Sequence, residues 1–333
     1  MASIKQSLER RDNIASIIEY LRRVGRATRV EISSALSLSW ACISDLVALL
    51  TKRGLILESS GKDKKTSSEV KGRTPSYLSL NEKKYFLGID INDSGMAITL
   101  LSINGTRIET KKWDAETLND ETELAESVCA KISEMLICRD NCCGIGVAME
   151  GMRAENGDFI YPTKNGTVGF LPDKVIGNYF DLPVYARHDP ECMLYALAQT
   201  PKYDCMAVRV DNGIGVAAMK SGKILELPLE LGFIMCGEEK LKNILKHAKK
   251  SGNYAKFASE LGIAVGNLSM LLGVKKVFLV GEIIKLFDDI SAAFDESFKS
   301  VNKKIEYEVS KVTDASEGAA RVAMTEYPRL DDI

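Results

Sequence analysis

Few residues in this 333-residue chain have the type and spacing of metal ligands. There are eight cysteines and two histidines, His188 and His247, and no two cysteines form a C-x-x-C pair. A structural zinc site needs four thiolate or imidazole ligands, commonly supplied in such pairs. We therefore expect no metal site. Most cysteines have apolar neighbours, as Cys142 and Cys143 do, and we expect them to be free thiols that fill the core.

The charged residues, in contrast, are distributed in a way that suggests a function. Residues 1–84 contain 16 Lys+Arg against 9 Asp+Glu, a net charge of +7, whereas residues 85–333 contain 28 against 37, a net charge of −9. A basic segment joined to an acidic body is typical of a protein whose basic part contacts a polyanion. A basic surface that is only solvated is the alternative.

The length and composition are those of a globular protein with two or three domains, with 45% hydrophobic and 27% charged residues. No apolar run approaches the roughly 18 residues that a membrane span needs. The first six residues are polar and lack the apolar centre of a signal peptide. We expect a cytoplasmic protein that does not contact a membrane.

The basic segment contains three helix patterns. The first helix has an apolar stripe at helical spacing and ends at Gly25. Thr28 and Glu31 have the spacing of a capping box, which predicts a short second helix up to Leu36. Ser39 can cap a third helix. The apolar residues expected to face the core are Ile14, Ile17, Ile18 and Leu21 in the first helix and Ile43, Leu46, Val47 and Leu50 in the third.

A wing should follow these helices. Residues 55–57 and 77–80 have the composition of short strands, and the polar, Lys/Ser-rich residues 59–71 and the sequence Gly72-Arg73-Thr74-Pro75 lie between them. A short helix, a three-residue turn and a longer helix form a helix-turn-helix, whose last helix enters the major groove. The tip of a basic wing is suited to phosphates or to the minor groove. A generic three-helix bundle is the alternative, and the wing favours DNA binding.

The motifs of this segment resemble the DNA-binding head of the ROK family, which unites bacterial sugar repressors and sugar kinases. The matching stretches are Leu38-Ser39-Trp40-Ala41-Cys42-Ile43-Ser44-Asp45-Leu46-Val47, Arg53-Gly54-Leu55-Ile56 and Lys71-Gly72-Arg73-Thr74-Pro75. Trp40 and Asp45 stand where the family usually has arginine, so the operator should differ from the usual one. Asp45 can accept a hydrogen bond from cytosine N4. The residues expected to contact DNA are Arg29, Ser39, Trp40, Ser44, Asp45 and Arg73.

From residue 85 onward, buried-strand patterns and hairpins alternate with helices, which predicts a mixed α/β body with two lobes around a cleft. The predicted strands are 85–91, 96–103, 106–113, 143–149, 184–187, 206–210, 214–219, 224–227 and 277–281, and the predicted helices are 121–135, 240–272, 286–301 and 317–326.

The body resembles ROK proteins along essentially its whole length. The landmarks, in order, are Asp90-Ile91-Asn92-Asp93-Ser94, Ile145-Gly146-Val147, Leu182-Pro183-Val184-Tyr185, His188-Asp189, Asn212-Gly213-Ile214-Gly215, Glu230-Leu231-Gly232, Val280-Gly281 and Gly318-Ala319-Ala320. The resemblance implies an actin-like, ribonuclease-H-like pair of lobes. We expect a winged helix-turn-helix domain at 1–82 and a sugar-kinase-like domain at 83–333, with one lobe at about 83–195 plus a helix at about 316–330 and the other at about 196–315.

The resemblance also implies a nucleotide site that has lost its chemistry. Family kinases have glycine-rich loops at three places around the phosphates, because phosphate must approach the backbone amides closely. The residues at these places are Asn92 and Asp93, Asp211 and Asn212, and Glu282. Carboxylates replace glycines, and like charges near 4 Å repel by about 1 to 4 kcal/mol. We expect no kinase activity. A carboxylate that holds Mg²⁺ is the alternative for Asp90 alone.

Two further family sites are altered. Phe233 replaces the histidine ligand of the family's zinc cluster and Cys236 is the one thiol left there, so we expect neither zinc nor another cofactor. In the sugar site, Asp189 holds the position of the catalytic base, and His188 replaces an asparagine. Glu230 and, by a looser match, Asn165 complete the expected ligand-binding residues. Carboxylates that accept hydrogen bonds from hydroxyls suit a carbohydrate. A purely structural cleft is the alternative.

These features predict a sequence-specific regulator of transcription that binds double-stranded DNA. We expect a repressor that is a homodimer or a higher homo-oligomer, because helix-turn-helix proteins commonly read two half-sites about 34 Å apart. A small carbohydrate is the expected effector, which must bind two conformations unequally. Two alternatives remain: an ATP-dependent sugar kinase with a DNA-binding head, and a DNA-binding dimer that senses no ligand.

Overall fold

The computed structural model describes residues 2–60, 75–92, 95–149, 159–163, 165–197, 204–225 and 229–329. The predicted wing tip, including Arg73, and Asp93 of the first phosphate loop lie outside the described residues. No single described helix is long and apolar enough to cross a membrane, and one adjacent pair passes that test only across a bend of 118°.

The N-terminal segment forms three helices and a three-stranded antiparallel sheet. The helices are α1 (Ala2–Val24), α2 (Arg29–Leu36) and α3 (Trp40–Lys52), and the strands are β1 (Arg26–Thr28), β2 (Ile56–Ser60) and β3 (Ser76–Leu80). The strand order is β1-β3-β2. The angle of 118° between α2 and α3 is within the range of a helix-turn-helix. This arrangement confirms the predicted winged helix-turn-helix.

The local signals in the sequence account for the boundaries of these helices. The Thr28 hydroxyl accepts a hydrogen bond from the backbone N–H of Glu31, and the Glu31 carboxylate accepts one from the N–H of Thr28, which forms the predicted capping box. Ser39 caps α3 by accepting from the N–H of Cys42 at 3.3 Å. The eight apolar residues predicted to face the core are all buried.

The body follows the predicted alternation, with several short elements in addition. Its strands are β4 (Tyr85–Asn92), β5 (Gly95–Ser102), β6 (Arg107–Asp114), β7 (Cys142–Met149), β8 (Phe159–Thr163), β9 (Gly166–Phe170), β10 (Val184–His188), β11 (Cys205–Val210), β12 (Ile214–Lys220), β13 (Lys223–Ile224), β14 (Leu229–Glu230), β15 (Met235–Cys236), β16 (Glu239–Lys240), β17 (Lys276–Val280) and β18 (Glu306–Val309). Its helices are α4 (Glu121–Met135), α5 (Pro172–Phe180), α6 (Asp189–Leu197), α7 (Leu241–Ser251), α8 (Ala255–Leu272), α9 (Phe287–Val301) and α10 (Ser316–Glu326).

The first lobe contains a mixed sheet of strand order β10-β7-β4-β5-β6. Strand β4 is parallel to β7 and antiparallel to β5. Helices α4 and α5 share a hydrophobic core with one face of this sheet, and α10 packs against β4, β5 and β7. The approach of α10 is close, because a Cβ atom at Gly146 would lie 1.8 Å from the carbonyl oxygen of Ala319. This contact explains why a glycine occupies position 146.

The second lobe contains a sheet of strand order β13-β12-β11-β17-β18, with β14 paired to β12. Strands β11 and β17 are parallel, so their carboxyl ends lie at the same edge. Helices α7, α8 and α9 bury their apolar faces against this sheet. Helix α6 contacts α10 and β10 as well as β11 and β12, and it therefore lies between the two sheets.

The structure divides the long helix predicted at 240–272 into α7 and α8. Gly252 adopts a φ of 71°, and its N–H donates to the carbonyl of Ala248, which ends α7. Glycine adopts this left-handed conformation without the steric cost that other residues pay.

The head and the first lobe share one hydrophobic core. Its buried residues include Leu21 and Leu80 from the head and Phe86, Ile103 and Ala323 from the first lobe. The Arg22 guanidinium also donates from Nε to the carbonyl of Ile103 at 3.1 Å. The contacts therefore favour movement of the head together with the first lobe.

Candidate DNA interface and candidate ligand cleft

Helix α3 presents a solvent-exposed face opposite its buried one. Trp40 at its first turn is 55% exposed, Asp45 and Lys52 are exposed, and Ser44 is half-buried. The side chains between them on this face, Ala41 and Ala48, are small. A helix with small residues on its free face can approach the floor of the major groove closely, so that Trp40, Ser44 and Asp45 can reach base edges.

Two of the predicted DNA contacts already have partners within the head. Arg29 donates two hydrogen bonds to the Glu58 carboxylate on β2, at 2.7 and 2.9 Å. This pair raises the pKa of Arg29 and ties the start of α2 to the wing. The Ser39 hydroxyl caps α3. Both residues thus stabilise the shape of the head, and a phosphate would compete with Glu58 for the Arg29 guanidinium.

In the body, the predicted base position is occupied by an ion pair. Asp189, the first residue of α6, accepts a hydrogen bond through Oδ2 from Nη1 of Arg209 on β11. The two side chains are 4% and 8% exposed, so the pair is nearly free of water. A carboxylate held by a guanidinium has a strongly stabilised charged form and is a poor acceptor for the proton of a substrate hydroxyl.

Arg209 also influences the groups around it. Asp90, near the carboxyl end of β4, is fully buried, and burial raises its pKa. The charge of Arg209 and a hydrogen bond from the N–H of Ala315 at 2.9 Å oppose this rise. His188 has a pKa lowered to about 4, first by burial and then by the charge of Arg209. The imidazole is therefore neutral at pH 7.

The predicted sugar contacts His188, Asp189 and Glu230 lie together. Nε2 of His188 is 3.2 Å from Oδ1 of Asp189 and 3.6 Å from Oε1 of Glu230. Burial raises the pKa of Glu230, and Lys242 opposes this shift. Asn165 is exposed in the turn between β8 and β9, and no contact that the structure describes joins it to this cluster.

The residues of the predicted nucleotide cradle have cationic partners. Asp211 accepts from Nε of Arg209 through Oδ2 and from the backbone N–H of Glu282 through Oδ1 at 2.5 Å. Nζ of Lys249 donates to the Asn212 side chain at 3.0 Å and lies 3.4 Å from Oε2 of Glu282. Asn92 ends β4 and is half-buried. The expected repulsion of phosphate is therefore reduced at Asp211 and Glu282, because each carboxylate is paired.

At the place of the family's zinc cluster, Phe233 is 45% exposed. Nζ of Lys242 lies 3.9 Å from its ring centroid and Nζ of Lys240 lies 5.6 Å from it, so cation–π contacts hold this segment. Among the described residues, no group of three or more His, Cys, Asp or Glu side chains is arranged to bind a metal.

Arg209 and Lys249 organise the cleft, and neither is among the residues predicted from the sequence. A signal for Arg209 exists, since it interrupts the apolar strand pattern of residues 205–210. A charge inside a buried strand normally has a buried partner. The sequence holds no comparable signal for Lys249, which is one of several lysines on α7.

Comparison of the sequence with known proteins gives only partial matches. No family model matches the sequence. An uncharacterized protein of Clostridium perfringens is 26% identical over 170 residues, which are 48% of this chain and 57% of that protein, so the chain spans little more than half of that relative.

Two solved structures match over much longer stretches. The crystal structure of a ROK family transcriptional regulator, a homolog of the E. coli MLC protein, matches with a TM-score of 0.78 at 15% identity. The match covers 96% of this chain and 97% of the regulator's chain. A ROK hexokinase from Thermus thermophilus matches with a TM-score of 0.60 at 16% identity, and the match covers 72% of this chain and 97% of the hexokinase chain. These matches confirm the predicted fold class: the chain has the ROK fold, with a winged helix-turn-helix head on a two-lobed, sugar-kinase-like α/β body.

Proposed function

We propose that this chain is a sequence-specific, DNA-binding regulator of transcription of the ROK type and acts as a repressor in the cytoplasm. The observation that carries the proposal is the exposed face of α3, a capped helix in a winged helix-turn-helix within a segment of net charge +7. The similarity to a ROK regulator over 96% of the chain, which includes this head, supports it.

In this proposal, Trp40, Ser44 and Asp45 read base edges, and Ser39 fixes the start of the helix that carries them. Arg29 and Arg73 contact the phosphate backbone, Arg29 by exchanging Glu58 for a phosphate. Base contacts specify the sequence, whereas phosphate contacts position the protein on any duplex. The chain acts as a homodimer that binds two half-sites.

The proposed regulator has no kinase activity. A phosphoryl-transfer enzyme needs a carboxylate that can orient or deprotonate the attacking hydroxyl and a cradle open to phosphates. Here Asp189 is held by Arg209, and Asp211 takes up the hydrogen bond of the Glu282 amide. Both functions are therefore blocked by groups of the chain itself.

The effector we propose is a small carbohydrate in the cleft. Neutral His188 lies 3.2 Å from the carboxylate of Asp189 and 3.6 Å from that of Glu230, and the two carboxylates offer acceptors for hydroxyl groups. Because the head shares a core with the first lobe, a change in the angle between the lobes moves the recognition helices of a dimer relative to each other. The effector lowers operator affinity if it binds the altered arrangement more tightly.

Fluorescence-anisotropy titrations with labelled duplexes test the DNA-binding proposal. Changing Ser44 or Asp45 should alter the preference among sequences, with about 1 to 3 kcal/mol lost at one base pair, whereas Arg73→Ala should weaken binding to all sequences alike and reduce the salt dependence. A variant Arg73→Ala with unchanged affinity and salt dependence would contradict the assignment of the wing.

Incubation with ATP, Mg²⁺ and a panel of sugars tests the proposal that the chain has no kinase activity. We expect no sugar phosphate above the level of a heat-inactivated sample. Turnover would show that the chain is a sugar kinase with a DNA-binding head. A thermal-shift screen with the same sugars separates a ligand-sensing regulator from a ligand-independent one, because a ligand at 100 times its Kd adds about 2.7 kcal/mol of stability.

A further inference from the structure

The carboxyl ends of β11 and β17 form the edge at which a sheet of this kind binds the phosphates of a nucleotide. The two strands are parallel neighbours, with Arg209 opposite Val280 in the register. Asp211 follows β11, and Glu282 follows β17 after Gly281. Any phosphate at this edge would use the Glu282 amide and the nearest cationic side chain.

The Asp211 carboxylate already occupies both of these donors. Its Oδ1 accepts from the N–H of Glu282 at 2.5 Å, and its Oδ2 accepts from Nε of Arg209. Nζ of Lys249 donates to the Asp211 carbonyl oxygen at 2.7 Å. One backbone amide and one guanidinium thus hold the built-in carboxylate, while Lys249 binds the backbone carbonyl of the same residue. An amide beside a cation is the kind of donor set expected for a bound phosphate.

The backbone at Gly281 is shaped to admit this carboxylate. Gly281 has a φ of 88°, and a Cβ atom at this position would lie 2.4 Å from Oδ1 of Asp211. A side chain here would displace the carboxylate. The close approach that glycine permits in a phosphate loop is used here by a residue of the same chain.

The same guanidinium extends the contact to the other lobe. Arg209 lies on β11 of the second sheet, and its Nη1 donates to Asp189, which directly follows β10 of the first sheet. The linked side chains of Asp189, Arg209 and Asp211 therefore cross the cleft. The backbone N–H of Glu282 connects Asp211 to the end of β17.

We propose that the Asp211 carboxylate is an internal substitute for a phosphate group and that, through Arg209, it holds the two lobes together without a nucleotide. The cleft is thereby closed to phosphate by occupancy more than by repulsion. This inference rests on the proposed function only in taking the chain as a regulator that needs no nucleotide, and its test does not involve DNA.

The test is chemical rescue of the variant Asp211→Ala by inorganic phosphate. Removal of the carboxylate takes away the acceptor that the Glu282 amide and Nε of Arg209 share, and a phosphate anion can take its place. We expect the full-length variant to melt at a lower temperature than the wild type in chloride, and phosphate at about ten times its Kd to raise its Tm by about 3 °C at matched ionic strength. The wild type should not respond, because its own carboxylate fills the position.

Two variants serve as controls. Asp211→Asn keeps the volume and one acceptor for the amide, so phosphate should not enter. The double variant Asp211→Ala/Arg209→Met lacks the central cation and should not respond either. If Asp211→Ala does not fold, Asp211→Ser retains an acceptor while vacating part of the space, and its binding of phosphate can be measured by calorimetry.

A folded Asp211→Ala or Asp211→Ser variant that ignores phosphate would overturn the proposal. So would a wild-type protein that phosphate stabilises as strongly as the variant. The responses of the variants and of the wild type to phosphate depend only on the cleft. They therefore test this proposal even if the chain is found not to bind DNA.

Discussion

Replacement of Arg209 by methionine should destabilise the protein more than any other single loss of charge in the cleft. Methionine keeps much of the volume but removes the cation that faces Asp189, Asp211 and Asp90. The side chains of Arg209 and Asp189 are 8% and 4% exposed, so water cannot replace the lost partner. Removal of one member of a buried ion pair typically costs about 3 to 5 kcal/mol.

This loss corresponds to a fall in Tm of roughly 6 to 20 °C, if each kcal/mol lowers the Tm of a domain of this size by about 2 to 4 °C. Urea denaturation followed by circular dichroism measures the change directly. Asp189→Asn in the Arg209→Met background should restore part of the stability, because it removes the carboxylate that was left without its cation. The coupling between the two changes should be about 0.5 to 3 kcal/mol.

A matched control is available on the surface of the second lobe. Lys276 and Glu308 form a pair at 2.6 Å, but their side chains are 39% and 51% exposed. Lys276→Met should therefore cost no more than about 1 kcal/mol. Two results would refute the reasoning about the buried pair. One is a loss of stability for Arg209→Met as small as that for Lys276→Met. The other is a double variant Arg209→Met/Asp189→Asn whose loss equals the sum of the two single losses.

Three further predictions concern other parts of the molecule. The pKa of His188 is lowered to about 4 in the folded chain, so unfolding takes up a proton below about pH 6.5. The free energy of unfolding, measured by urea titration, should therefore fall by about 2 kcal/mol between pH 7 and pH 5. The variant His188→Gln should lack this part of the loss. Thr28→Ala breaks the capping box and should cost about 0.5 to 2 kcal/mol in the same assay, with Ser as the conservative control. Gly281→Ala should lower the Tm, because its Cβ would contact the Asp211 carboxylate; an unchanged Tm would contradict the packing at this loop.

The head could be predicted from the sequence in detail because its signals are local. The capping box at Thr28 and Glu31 and the cap at Ser39 act within three residues, and the apolar stripes depend only on helical spacing. The long buried strands of the body have continuous apolar runs and were predicted for the same reason. Helix α5 was missed although Pro172 at its first turn is a start signal.

The cleft could be predicted only in part, because its contacts join residues that are far apart in sequence. The sequence predicts Asp189 at the position of the catalytic base, and it predicts Asp211 and Glu282 as charges that repel phosphate. The structure pairs Asp189 and Asp211 with Arg209, and Glu282 with Lys249. Separations of 20 residues for Asp189 and Arg209, and of 33 for Lys249 and Glu282, carry no periodic signal.

Genomic footprinting with the purified chain tests the central claim most directly. A sequence-specific dimeric regulator should protect a small number of discrete sites, each with two related half-sites about 10 to 10.5 base pairs apart or a multiple of this. The variant Asp45→Ala should shift or abolish the protection while leaving the protein folded. Uniform protection of DNA, or none at physiological salt, would contradict the assignment of this chain as a transcription regulator.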